Sequence, residues 1–174
     1  MIQSAIRYGL YAGIIGVILF LISLVGIKDM SFGSREIFGY IAMIVCLFPI
    51  YFGVKHIRDK HLGGVISFKT GLYYGSIIAA IAGILVGILD VIYVTVLNPD
   101  FAQEYLDYLV EKAKNSGKPQ EDIDKMIARS TAQMENASPF FYFLFTFGMI
   151  VLIGVLESLI FSAMLKRKSS GKAT

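Results

Sequence analysis

The sequence predicts an all-α integral membrane protein, a four-helix bundle with an extracytoplasmic helical hairpin between its third and fourth spans. Its 174 residues are 56% hydrophobic and only 17% charged, and the mean hydropathy of +0.67 lies outside the usual soluble range. The apolar residues form four runs, each long enough to cross a bilayer, which takes roughly 20 helical residues, or about 17 at the short end. Most charges lie between these runs. We therefore expect one membrane domain over residues 1–174.

The first predicted span covers residues 8–27. A cleaved signal peptide is the alternative, but its apolar core is usually only about 7 to 15 residues long. In addition, Lys28-Asp29-Met30, which follows the span, is not a small-residue cleavage site. We therefore expect a helix that is retained.

The other three spans are predicted at residues 37–54, 71–97 and 139–165. Pro49 lies within the second span, where it removes an amide donor and crowds the preceding turn, so we expect a kink. The third and fourth spans exceed the length that a bilayer requires, which predicts tilt or extension into the interface.

The loop charges predict the orientation. Lysine and arginine in short loops favour the cytoplasmic side. The amino terminus, the loop between spans two and three and the tail together carry nine basic residues and one acid, whereas the other two loops carry seven basic and ten acidic residues. These sets have net charges of +8 and −3. We therefore expect both termini in the cytoplasm.

The long loop, residues 98–138, has the pattern of two helices. Asn98 is expected to be an N-cap with Pro99 at the first helical position, and apolar residues then recur at helical spacing. A break at residues 115–119 precedes a second amphipathic stretch. The loop is predicted to be a helical hairpin that lies against the outer membrane surface.

Small residues recur every four positions along the third span. Such a stripe permits close approach of helix backbones inside lipid. It can serve packing within the chain, with Gly154, Ser158 and Ser162 of the fourth span as complements, or it can serve a dimer. We favour packing within the chain. The stripe consists of Gly71, Gly75, Ala79, Gly83 and Gly87.

Asp90 and Glu157 are the acids that lie well inside the predicted spans. A charge at that depth costs roughly 2.5 to 3.5 kcal/mol on insertion scales, so such residues are candidates for function. Counted from the cytoplasmic ends, Asp90 lies about 28 Å and Glu157 about 12 Å along their helices, too far apart for contact. We expect Tyr93 and Thr146 near Asp90, and Ser158 near Glu157. Either acid can be a hydrogen-bonding group between helices or part of a site for a proton, ion or substrate.

Other site chemistry has little support in the sequence. His56 and His61 share a loop, but their spacing does not place them on one helical face, and the neighbouring basic residues would repel a cation. We predict no metal site and no cofactor. The basic residues border the spans and form no single face, which argues against a nucleic-acid partner. Without a nucleophile, nucleotide or zinc motif, we expect no enzyme.

Four segments form a recognisable set: residues 52–60 at the exit of the second span, residues 63–68 before the third, Glu157-Ser158-Leu159-Ile160, and Lys166-Arg167-Lys168. Together they resemble an uncharacterised bacterial family of small four-span membrane proteins defined as a domain of unknown function. The resemblance covers nearly the whole chain. It implies a bacterial inner-membrane location and supplies no activity.

From these observations we predict a non-catalytic scaffold, accessory subunit or sensor. The expected partners are the bilayer, anionic lipid headgroups at the cytoplasmic loops, and a second copy or another membrane protein. The alternative is a small transporter or channel that uses Asp90 and Glu157. A lipid-modifying enzyme is a third hypothesis, for which His56 and His61 are the candidate headgroup-level residues.

Overall fold

The computed structural model describes residues 1–26, 31–117, 119–135 and 137–166. The predicted all-α class is confirmed, since the regular elements in these ranges are helices. Ile27, at the predicted end of the first span, and Arg167 and Lys168 of the tail lie outside the described residues. The helices are α1 (Ile2–Gly26), α2 (Phe32–Leu47), α3 (Pro49–His61), α4 (Phe68–Ile92), α5 (Phe101–Lys114), α6 (Gln120–Glu135) and α7 (Pro139–Leu165).

Four helical stretches are long and apolar enough to cross a membrane, as the composition predicted. They fit a multi-pass membrane protein. Two of them, α1 and α7, are single helices, and the other two are composite. The stretches are Ile2–Leu24, Phe32–His61, Phe68–Leu97 and Pro139–Leu165.

The second stretch is interrupted at Phe48, between α2 and α3, next to Pro49, where a kink was expected. Proline has no amide hydrogen to continue the ladder. The carbonyl oxygen of Val45, four residues before Pro49, instead accepts a hydrogen bond from the Phe48 amide at 3.3 Å. Helix α3 extends beyond the predicted end at residue 54 to His61. Its last turn contains Arg58, Lys60 and His61, which are favourably placed at the carboxyl end of a helix. A turn follows at Gly63 and Gly64, whose φ angles are 61° and 85°.

Side-chain caps define where α4 and α7 begin. The Ser67 hydroxyl accepts a hydrogen bond from the Thr70 amide at 3.1 Å, and the Ser138 hydroxyl accepts one from the Phe141 amide at 3.2 Å. Each cap satisfies one of the amides that a helix start leaves unpaired. At its other end α4 continues as a π-helical turn, Tyr93–Leu97.

The long loop contains two helices, α5 and α6, which pack against each other with Ala113 and Ile123 buried between them. The prediction of Asn98 as an N-cap was wrong, because α5 begins two residues later with Asp100 at that position. The Asn98 side chain instead donates hydrogen bonds to Tyr93 and Glu104, at 3.1 and 3.2 Å.

This hairpin is attached to the start of α2 through α5. The Tyr108 ring stacks on Phe32 with centroids 5.4 Å apart, and its hydroxyl donates to Glu36 at 3.4 Å. The Lys112 ammonium lies 3.5 Å from the Glu36 carboxylate. The hydrogen bond with Tyr108 and the charge of Glu36 raise the pKa of Lys112. The hairpin therefore lies at the end of the molecule opposite the amino terminus.

Helix α4 lies at the centre of the packing, with α1 and α7 against it and α3 in contact with all three. The core between them contains fully buried aliphatic side chains, among them Ile50, Ile78 and Ile150. Much of the outer surface consists of exposed large apolar side chains. Such a surface is expected of helices that face lipid, where apolar contact carries no cost.

Candidate functional site

The interface between α4 and α7 contains the small-residue stripe predicted from the sequence. A Cβ atom added to Gly71 would lie 2.6 Å from the Ser162 hydroxyl, and one added to Gly75 would collide with the Ser158 hydroxyl. In the middle of the interface, Ala79 fills the space that Gly154 leaves open. The structure thus places the stripe against a helix of the same chain, and two backbones approach closely there.

Towards the hairpin the same stripe faces aromatic rings. Added Cβ atoms on Gly83 and Gly87 would each lie 3.0 Å from a ring carbon, of Phe147 and Phe143 respectively. These two rings stack on each other with centroids 5.8 Å apart. The interface therefore changes from serine contacts at one end to aromatic contacts at the other.

Asp90 lies one turn beyond this aromatic end and is half-buried. The Thr146 hydroxyl of α7 donates a hydrogen bond to its carboxylate at 2.7 Å. The distance is typical of a well-formed O–H···O hydrogen bond. The acid and the hydroxyl thus connect the two helices that the stripe packs together.

Tyr93 belongs to a different cluster. Its ring packs edge-on against Phe20 of α1 and Phe101 of α5, at 5.4 and 5.6 Å, and its hydroxyl accepts a hydrogen bond from Asn98. The structure therefore places Tyr93 at the junction of three elements, where it helps to attach the hairpin.

Glu157 lies inside the helix packing, with 8% of its surface exposed. Neither of its carboxylate oxygens has a hydrogen-bond partner among the residues that the structure describes. The neighbouring Ser158 hydroxyl, expected to be near it, donates instead to the carbonyl oxygen of Gly154 at 2.6 Å. The Ser162 hydroxyl, one turn further along α7, is likewise buried without a partner in the described part of the chain. An unpaired buried polar group is costly, typically about 1 to 3 kcal/mol.

The two acids are well separated along the axes of α4 and α7. Ser158, next to Glu157, faces Gly75, whereas Thr146 faces Asp90. The segment of α4 between Gly75 and Asp90 corresponds to about 22 Å of helix. The acids therefore occupy separate environments, one hydrogen-bonded and one without a partner.

The histidines are held by neighbours at the amino-terminal end. His61 shares a 3.0 Å hydrogen bond with Ser4, and the His56 ring lies 5.7 Å from that of Tyr8. Their own rings are 5.9 Å apart. No group of three or more histidine, cysteine or acidic residues within the described ranges is arranged to hold a metal ion.

Sequence reasoning missed a buried cation, Arg58 of α3. Its side chain forms two hydrogen bonds with Asp59, the shorter at 2.7 Å, and its guanidinium reaches the carbonyl oxygen of Leu165 at 3.5 Å. A cation at the carboxyl end of α7 is favourably placed against the helix dipole. The position of Arg58 shortly after an apolar helix could have indicated its burial, but Arg58 was assigned to a loop and counted only for the orientation.

Residues 7–167 match the family model described as protein of unknown function (DUF4199). The chain belongs to this family. No curated protein and no solved structure matches the chain. DUF4199 membership agrees with the resemblance noted from the sequence and assigns no activity, so the function has to be inferred from the packing and polar groups described above.

Proposed function

We propose that this DUF4199 protein is a non-catalytic membrane scaffold or accessory subunit. The observation that carries this proposal is the bond between Asp90 and Thr146. It joins α4 to α7 at the interface where the glycine stripe brings them together. An acid used in this way maintains the arrangement of helices. A closely packed core with a large apolar exterior suits a protein that offers surfaces to lipid and to other membrane proteins.

We further propose a bacterial inner-membrane location with both termini in the cytoplasm. The charge difference between the two sets of loops supports this orientation. In it, the four spans form a bundle, and the α5–α6 hairpin lies on the extracytoplasmic side, attached to α2. The hairpin would then be the part of the scaffold that is accessible to partners outside the cytoplasm.

A transporter is the second candidate, and Glu157 is the observation that favours it. A buried carboxyl without a hydrogen-bond partner can change its protonation state without breaking a contact between helices. In this hypothesis Glu157 is a proton or ion site within the membrane. Asp90 would be a separate position, because the two acids are far apart.

Flux through reconstituted vesicles separates the two proposals. The purified chain is placed in liposomes that contain a pH-sensitive dye, and a proton gradient is applied. The scaffold predicts the same decay rate as protein-free vesicles and as Glu157→Gln vesicles. A proton flux that Glu157→Gln abolishes in a normally folded protein would overturn the scaffold. Asp90→Asn is the matched control, since it removes the other intramembrane carboxylate.

A second measurement addresses scaffolding directly. The full chain is extracted with surrounding native lipid in polymer nanodiscs, and the stoichiometry of any co-purifying membrane protein is determined. The scaffold predicts a partner at a fixed ratio, retained by Asp90→Asn and Glu157→Gln. Particles that contain the chain alone would contradict the proposal.

A further inference from the structure

An open groove of about 600 Å³ lies on the outer surface between α1 and the α2–α3 pair. Its lining is apolar apart from two tyrosine hydroxyls. The groove lies beside the interruption at Phe48, where the two halves of the second stretch meet. Residues that line it include Tyr8, Tyr11, Ile14, Val45, Phe48 and Phe52.

Two close approaches between the helices define the length of the groove floor. At one end an added Cβ on Gly53 would lie 3.0 Å from the Tyr8 Cβ, so α3 and α1 nearly touch. At the other end a Cβ on Gly16 would lie 3.5 Å from the Cys46 sulfur, so α1 approaches α2 again. From Tyr8 to Gly16 the helix advances about 12 Å. The groove is therefore slightly shorter than the roughly 15 Å hydrocarbon depth of one leaflet.

Basic side chains lie at the end of the groove near Tyr8. The Arg7 guanidinium lies 5.6 Å from the centre of the Tyr8 ring, and the His56 ring lies 5.7 Å from the same ring. Lys55, adjacent to His56, is exposed on α3. The nearest acid along α3, Asp59, is engaged by Arg58 at 2.7 Å. The mouth of the groove is therefore positive.

We propose that this groove binds one anionic phospholipid, with an acyl chain between α1 and α2–α3 and the phosphate held by Arg7 and Lys55. The groove can hold most of an acyl chain within one leaflet, and the positive mouth complements the anionic headgroup. A transmembrane helix from another protein fits less well. Such a helix is about 30 Å long, more than twice the length of the groove. The inference goes beyond the proposed function, because it applies equally to a scaffold and to a transporter.

Native mass spectrometry of the detergent-solubilised full chain tests the proposal. The chain is titrated with phosphatidylglycerol and, separately, with phosphatidylcholine of the same acyl composition. We expect one phosphatidylglycerol to bind at least about tenfold more tightly than phosphatidylcholine, since each basic residue near the surface contributes about 1 kcal/mol. Equal affinities for the two lipids would overturn the role of the positive mouth.

Two double variants with the same change in charge locate the headgroup. Arg7→Gln with Lys55→Gln should reduce phosphatidylglycerol affinity about tenfold or more. Lys60→Gln with Lys69→Gln alters two exposed lysines at the same end of the molecule and should leave the affinity unchanged. Equal losses in both would mean that lipid binds only through general surface charge, which would overturn the site.

Ile14→Trp and, independently, Val45→Trp test the acyl groove by filling it. Both residues are exposed on its walls, so each variant should fold. An unchanged melting temperature in the absence of added lipid checks this. Each should abolish tight binding of one phosphatidylglycerol, and retained binding in both would overturn the groove. A photoreactive side chain at position 14, tested in native membranes, should yield a lipid adduct. A protein adduct there would identify a helix as the occupant and contradict the proposal.

Discussion

The Thr146 hydroxyl donates a 2.7 Å hydrogen bond to the Asp90 carboxylate, between the helices α7 and α4. This contact predicts that Thr146→Val lowers the free energy of unfolding by about 0.6 to 1.7 kcal/mol, the range measured for bonds between helices in membranes. Asp90→Asn should cost less, because the amide oxygen still accepts the bond. Unfolding in mixed micelles measures both. If Thr146→Val is as stable as the wild type, the bond does not contribute to helix association.

Two glycines on α7 should respond to alanine in opposite directions. Gly154→Ala would bring a methyl group into collision with Ala79 and should destabilise the fold by about 1 to 3 kcal/mol. Gly148→Ala should stabilise it by up to about 1 kcal/mol, because a Cβ there meets nothing within 4 Å and alanine favours the helix. The melting temperatures of the two variants and the wild type, measured in the same detergent, give the comparison. The same sign for both would refute the assigned interface.

The same packing predicts the effect of larger groups on α4. Gly83→Leu has to displace Phe147, whose ring lies 3.0 Å from an added Cβ, so the melting temperature should fall. Ile84→Leu is a control on the adjacent exposed position and should change little. An unchanged melting temperature for Gly83→Leu would mean that the stripe faces lipid.

We expect that the Glu157 carboxyl lowers the free energy of unfolding. Glu157→Met replaces a buried group without a partner by an apolar chain of similar length and should stabilise the protein by about 1 to 3 kcal/mol. Asp90→Leu, which removes a satisfied group, should do the opposite. Lower stability of Glu157→Met would show that the fold depends on an interaction of the carboxyl.

Reporter fusions test the proposed orientation. We expect alkaline phosphatase to be active when fused near Ser116 in the hairpin and inactive when fused after Lys168. The reverse pattern would overturn the topology. Green fluorescent protein fused at the same two points should give the opposite pattern. It should fluoresce after Lys168 and stay dark near Ser116, because it folds in the cytoplasm and not after export in an unfolded state.

Local patterns made much of the fold predictable. Ser138 and Pro139 provide a recognisable helix start before a long apolar run, and α7 begins at Pro139. The second span was harder to predict, because its helix continues through Lys55 and Lys60, which are polar enough to resemble a loop. Helix ends outside the apolar layer depend on caps and glycines, here Gly63, and hydropathy does not report them.

The polar sites were predictable only where helix geometry determines them. Counting the rise per residue along two antiparallel helices placed Thr146 near Asp90, and the two side chains form a hydrogen bond in the structure. Ser158 was expected near Glu157 because it follows Glu157 in the chain, but its hydroxyl donates to a carbonyl oxygen of its own helix, a competing local hydrogen bond that the sequence does not reveal. The lipid groove was not predictable at all, because the close approaches at Gly53 and Gly16 join distant parts of the chain.

A helix with a small residue at every fourth position can in principle slide by one turn against its neighbour and present an almost identical surface. The pairing of α4 with α7 prevents this, because the partners differ along its length. A one-turn displacement would move the Ala79 methyl group away from Gly154 and onto a bulkier side chain or Ser158. It would also separate Asp90 from Thr146. A repetitive sequence thus specifies a single alignment through one methyl group and one hydrogen bond.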